Sequence, residues 1–197
     1  MPYHRAVQRA PNKLLAPAAV FYGLLAAAAL AWIRHAKLSV LVARSPAAAA
    51  AGLALGLAVA VFSQLGFRRS TRIRRLALDF ARILGPLGTW DALSLAVLSG
   101  VGEELCFRAA LQGSLGLVPA SLIFGLAHIG PRRGFWPWTV FAVAMGFALG
   151  LLYAWSGDLL GPILAHATVN ALNLRALGRL ARDSLDLDGG LGVGGLG

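Results

Sequence analysis

The chain has 197 residues, 58% of them hydrophobic and only 13% charged, whereas a soluble domain is about 25% charged. That leaves too little polar surface to cover a water-soluble body, and the apolar residues fall in long blocks that suit lipid rather than a shared aqueous core. The formal net charge of +10 does not point to nucleic acid, because the basic residues lie between apolar blocks and form no single patch.

Residues 1–13, MPYHRAVQRAPNK, are expected to be a polar, basic cytoplasmic segment. Residues 14–33 carry no charge, a run that suits the ~20 residues needed to cross hydrocarbon. The alternative, a cleaved signal peptide ending in the small residues Ala27–Ala29, fits less well because the run is long and another apolar segment follows. Residues 47–67 read as a second crossing, with Gly52 and Gly56 on a face open to close helix approach. RRSTRIRR at 68–75, continued by Asp79 and Arg82, reads as an interfacial segment whose arginines meet lipid headgroups.

A third helix is expected from about Trp90 to Leu111, and a fourth from about Leu117 to Ile129, stopped by Gly130-Pro131. A fifth runs from about Phe135 to Trp155, with tryptophans and a tyrosine near its ends as interfacial anchors. Ser156-Gly157-Asp158 is a turn, and the sixth helix covers about Leu159 to Leu174. The fold class expected is therefore all-α: a polytopic membrane protein with about six transmembrane helices in one bundle. The membrane domain is 14–174, followed by a basic tail at 175–197 whose Gly/Asp-rich end is expected to be disordered. With six crossings, fourteen basic residues fall on the side of the N-terminus and Arg34, Lys37 and Arg44 on the other, which places both termini in the cytoplasm. Composition rich in Ala, Gly and Arg suits a bacterial inner membrane.

Ionisable groups inside apolar spans need something to offset their cost, so each is a functional candidate. They form three groups. Glu104 and Arg108, four residues apart, can pair on one helical face, which leaves Glu103 pointing elsewhere. Phe124 lies one turn from His128, and His166 one turn from Asn170. A carboxylate, two imidazoles and an amide are the parts of a water-activating hydrolytic site. Read without further context, the same groups also fit hydrogen bonds between helices, a proton relay in a transporter, or a non-catalytic membrane partner of the immunity type. One depth problem stands out. Glu103 falls about 20 Å along its helix from Trp90 at ~1.5 Å per residue, whereas His128 ends its own short helix. The two meet only if a helix shifts, tilts or sits deep.

The three groups resemble the EExxxR, FxxxH and HxxxN motifs of the CPBP family of intramembrane proteases, also called the CAAX-protease, bacteriocin-processing or Abi family. They occur in the family's order over about residues 90–174, and GFALGLLYAWSGDLLGPILAHATVN at 146–170 is similar to its last two helices. The resemblance implies Glu103 as catalytic carboxylate and His128 as its partner on the water. It implies His166 and Asn170 as the oxyanion-side pair, with Glu104 and Arg108 supporting. Ala109 stands where the family usually has glycine. The substrates implied are membrane-tethered: a prenylated CAAX-type tail, a leader peptide or a membrane-anchor segment.

Other protease chemistries find no support in the letters. No HExxH occurs, Asp91 and Asp158 lie at helix ends, and Ala154-Trp155-Ser156-Gly157 lacks the first glycine of a rhomboid-like motif. Cys106, the only cysteine, excludes a disulfide framework and reads as a small buried hydrophobe. His4 and His35 read as interfacial. No cofactor is expected; if a metal is used, Glu103, His128 and His166 are the zinc ligands that two histidines and a carboxylate would supply.

Overall fold

The computed structural model describes residues 13–191, with side chains through Ser184. The polar N-terminal segment up to residue 12 and the glycine-rich end at 192–197 lie outside them. Seven helices make up the described fold. They are α1 (Leu15–His35), α2 (Pro46–Arg69), α3 (Thr71–Leu84), α4 (Thr89–Leu115), α5 (Leu117–Ala127), α6 (Trp136–Ser156) and α7 (Leu160–Leu191). The all-α expectation holds, and α7 continues well past Leu174.

The number of crossings does not hold. Among the described residues, three helices are long and apolar enough to span a membrane: Leu15–His35, Pro46–Arg69 and Arg133–Ser156. A fourth span results only if α3 and α4, bent by 99° at their junction, count as one. The corrected figure is thus three, or up to four, in place of six. The reasons are physical. At 11 residues, α5 extends about 16 Å, roughly half the hydrocarbon thickness. His166, Asn170, Asn173 and Arg175 lower the hydropathy of α7. Without six alternating crossings, the count of fourteen basic residues against three no longer fixes the sides.

The outward faces explain where lipid lies. Val20, Phe21 and Leu24 on α1, Leu57, Val61 and Phe62 on α2, and Val140 and Leu151 on α6 are all more than half exposed, an apolar skin that lipid rather than water would cover. Inside, α2 packs on α7 at backbone contact. A Cβ on Gly56 would lie 2.8 Å from the Ala165 carbonyl oxygen, and one on Gly52 would enter the Gly161 backbone. The α2 small-residue face thus does what its spacing suggested.

Two local devices set the helices against each other. Ser45 and Ser70 cap α2 and α3, accepting hydrogen bonds from Ala48 N–H at 3.1 Å and Ile73 N–H at 3.4 Å. Between α6 and α7, the buried Asp158 carboxylate accepts hydrogen bonds from the N–H groups of Ala43, Arg44, Ser45 and Leu160 at 2.6–3.0 Å. One carboxylate therefore starts α7 and clamps the loop that leads into α2, where Ala43 adopts a left-handed φ of 59°.

Candidate active site

The α4–α5 hairpin resolves the depth problem. Gly116, at φ 86°, turns the chain back; Glu103 lies thirteen residues before it and His128 twelve after it. Equal rise along two antiparallel helices brings them level. Phe107 and Phe124, nine before and eight after the turn, confirm the register with rings 4.9 Å apart, edge to face. Just after Glu104 the helix widens into a π-helical segment, Leu105–Gln112, a distortion common where function bends a helix.

The cluster has two layers. At the back, Arg108 and Glu104 are fully buried. Arg108 Nε donates to Glu104 Oε2 at 3.0 Å, and its Nη1 donates to the Gly146 carbonyl at 2.9 Å. The guanidinium also lies 5.2 Å from the Phe124 ring centroid, a cation–π contact. The other Glu104 oxygen sits 2.7 Å from His166 Nδ1. A buried carboxylate thus has both oxygens occupied, one by a cation and one by an imidazole.

In front, Glu103, His128, His166 and Asn170 line one cavity of about 540 Å³. Its other walls are mostly apolar and include Phe21, Phe80, Phe141 and Met145. Glu104 and Arg108 do not reach it, which leaves Arg108 no route to a substrate's polar end. Glu103 Oε2 faces His128 Nε2 at 3.5 Å and His166 Nε2 at 3.9 Å, and it is buried without a protein hydrogen-bond partner. These separations are too long for strong direct hydrogen bonds and too short for a water between the atoms, so a water would meet Glu103 and an imidazole from the cavity side.

The tautomers follow from the partners. His128 Nδ1 lies 2.7 Å from the Phe124 carbonyl, which can only accept, so Nδ1 carries a proton. His166 Nδ1 donates in the same way to Glu104. Both Nε2 atoms therefore face the cavity. Phe124 lies beside His128 with ring centroids 4.5 Å apart, and Trp138 flanks the other side at 5.7 Å, so the imidazole cannot rotate freely. Asn170 Nδ2 donates to Ser99 Oγ at 2.9 Å. Ser99 in turn donates to the Ala96 carbonyl at 3.3 Å, which fixes the amide with a second N–H to spare.

Sequence reasoning missed two residues. Ser99 orients Asn170, and its one signal was its position four residues before Glu103. Tyr22 on α1 lines the cavity and faces Glu103 with its hydroxyl; a lone tyrosine in an apolar run gives no warning. As for zinc, no three His, Cys, Asp or Glu side chains among the described residues are arranged to hold a metal ion. Glu103, His128 and His166 as placed do not fit the alternative set, and no step below passes through a metal.

The described residues thus form an all-α bundle with three, or up to four, helices able to span a membrane, and with this cluster on one half-open cavity. Residues 85–172 match the family model described as Type II CAAX prenyl endopeptidase Rce1-like. The uncharacterized protein YpbD of Bacillus subtilis (strain 168) is 40% identical over 80 residues, which are 40% of this chain and 41% of that protein. The chain thus spans about two fifths of the length of this relative. No solved structure matches it. The chain contains an Rce1-like CAAX protease domain of the CPBP (Abi) family over residues 85–172, and all seven motif residues fall within it.

Proposed function

We propose that the protein is an intramembrane endopeptidase that hydrolyses a peptide bond in a membrane-tethered substrate by glutamate-activated water. The substrate classes are a prenylated CAAX-type tail, a leader peptide or a membrane-anchor segment. The observation that carries the reading is the unpartnered, buried Glu103 Oε2 facing two imidazole Nε2 atoms across one cavity.

Water held in the cavity against Glu103 and His128 loses a proton to Glu103 as its oxygen bonds to the peptide carbonyl carbon. The carbonyl π electrons move to oxygen, and the developing oxyanion takes hydrogen bonds from protonated His166 Nε2 and the free N–H of Asn170. Collapse of the tetrahedral species breaks the C–N bond, and the proton on Glu103 passes to the departing amine. Glu104 steadies the His166 imidazolium, and Arg108 offsets Glu104. One proton shared by Glu103, His128 and His166 makes the buried set of two carboxylates and one guanidinium neutral, as a low-dielectric interior requires.

The basic stretches at 68–75 and 132–133 face the cytoplasm of a bacterial inner membrane in this proposal, following the excess of arginine there. The start of α1 and the Leu177 turn of α7 lie towards that side, because Leu14 and Leu177 line the cavity together with Phe80 and Leu84 of α3. The test is cleavage of a lipid-tethered reporter peptide in proteoliposomes, with and without exhaustive chelation. His128→Ala and His166→Ala should each lower turnover by about 10²–10⁴ while the protein elutes as a folded species in detergent. The wild type should keep its rate without bound zinc. Full activity in either histidine variant contradicts the reading, and loss on chelation restored by zinc replaces glutamate chemistry with metal chemistry.

A further inference from the structure

A second concavity lies at the break between α2 and α3. It is an open concavity of about 860 Å³ lined mainly by Arg69, Ser70, Thr71, Arg72, Arg75 and Asp79, with Gly134, just before α6, on one side. Its only acidic group is already engaged, since Asp79 pairs with Arg82 at 3.3 Å. Among the described residues, Arg69, Arg72 and Arg75 make no ion pair, and all three are exposed. Three arginines without an ion pair thus line one cup whose single carboxylate is paired with Arg82.

Depth gives the cup its medium. The α2 span ends at Arg69, and the span that contains α6 begins at Arg133, so the cup sits where two crossings reach the same membrane surface. Arg72 lies 5.8 Å from the ring centroid of Trp136, a residue type that settles at headgroup level. The guanidinium fork matches phosphate oxygens, and the arginine spacing spreads over a group broader than one ion. We propose that this cup binds the phosphate-bearing headgroup of an anionic phospholipid. The same helix α3 also carries Phe80, packed on Phe135 and Trp138 at 5.0 and 5.2 Å and lining the cavity of Glu103, so the bound lipid would lie beside the cavity wall rather than in the cavity.

The test uses the full-length protein in phosphatidylcholine bilayers containing spin-labelled phosphatidylglycerol or spin-labelled phosphatidylcholine. Electron paramagnetic resonance reads the fraction of each lipid held at the protein. No substrate is involved, so the outcome is independent of the hydrolytic reading. The wild type should prefer phosphatidylglycerol, and R69Q/R72Q/R75Q should reduce the preference at least fivefold, the equivalent of about 1 kcal/mol, which one arginine near the surface is worth. The charge-matched control R68Q/R74Q/R132Q, whose arginines neither line the cup nor pair with Asp79, should keep the preference within about twofold. Equal losses in the two triple variants would reduce the effect to diffuse surface charge and overturn the site. Absence of any preference in the wild type would do the same. Displacement of the labelled lipid by millimolar inorganic phosphate at constant ionic strength would assign the cup to a soluble phosphate instead.

Discussion

At the scale of single residues, the site divides into groups that touch the cavity and groups that hold them. Arg108 belongs to the second kind. Arg108→Ala leaves the Glu104 charge buried without its cation, a change that typically costs about 3–5 kcal/mol. The expected outcome is aggregation on size-exclusion chromatography in detergent, not a folded but inactive enzyme. Ser99→Ala and Tyr22→Phe should do the opposite. Each removes one hydroxyl that serves a cavity residue, worth about a tenfold loss of turnover, and the melting profile should change little. The motif residues were legible in the sequence because four-residue spacing puts two side chains on one helical face, and because hydrocarbon tolerates few idle charges. Ser99 and Tyr22 were not, since a hydroxyl in an apolar helix carries no comparable penalty and no fixed spacing.

The helices were located closely by their apolar runs, yet their roles were not. Hydropathy marks a segment as shielded from water but does not say whether lipid or protein shields it. That is why α5 and α7 looked like crossings. The π-helical segment after Glu104 was also invisible, because no glycine or proline marks it. Two tests belong at this scale. Gly56→Leu should push α2 off α7 and displace His166, so both detergent stability and activity should fall. Asp158 offers a pH test. Burial raises its carboxyl, but the N–H groups of Leu160, Ser45, Arg44 and Ala43 outweigh that and hold it below the usual carboxylate range. Its contribution to stability is therefore complete above the unfolded carboxylate range near ~4 and is lost as pH falls through the lowered folded value. Asp158→Asn should lower stability by about 1.5–3 kcal/mol at neutral pH. Its acid sensitivity should shrink accordingly, as read by thermal melts across pH.

For the molecule as a whole, the family-matched region supplies the seven motif residues, but the cavity is completed from outside it. Tyr22 and Phe21 come from α1, and Phe80 and Leu84 come from α3. The cavity that holds the candidate site is thus a property of the entire bundle. Sidedness follows the same logic. In a Cys106→Ser background, a cysteine at Arg74 should react with an impermeant maleimide only after cells are opened, whereas one at Arg44 should react on intact cells. The reverse pattern would invert the assigned orientation. The central claim is that Glu103 activates the attacking water, and the most direct measurement is turnover of the Glu103→Gln protein on the membrane-tethered reporter. Glutamine keeps size and hydrogen bonding but cannot take the proton, so cleavage should drop by at least about 10² while Glu103→Gln protein stays folded and monodisperse. Cleavage at the wild-type rate would contradict the account.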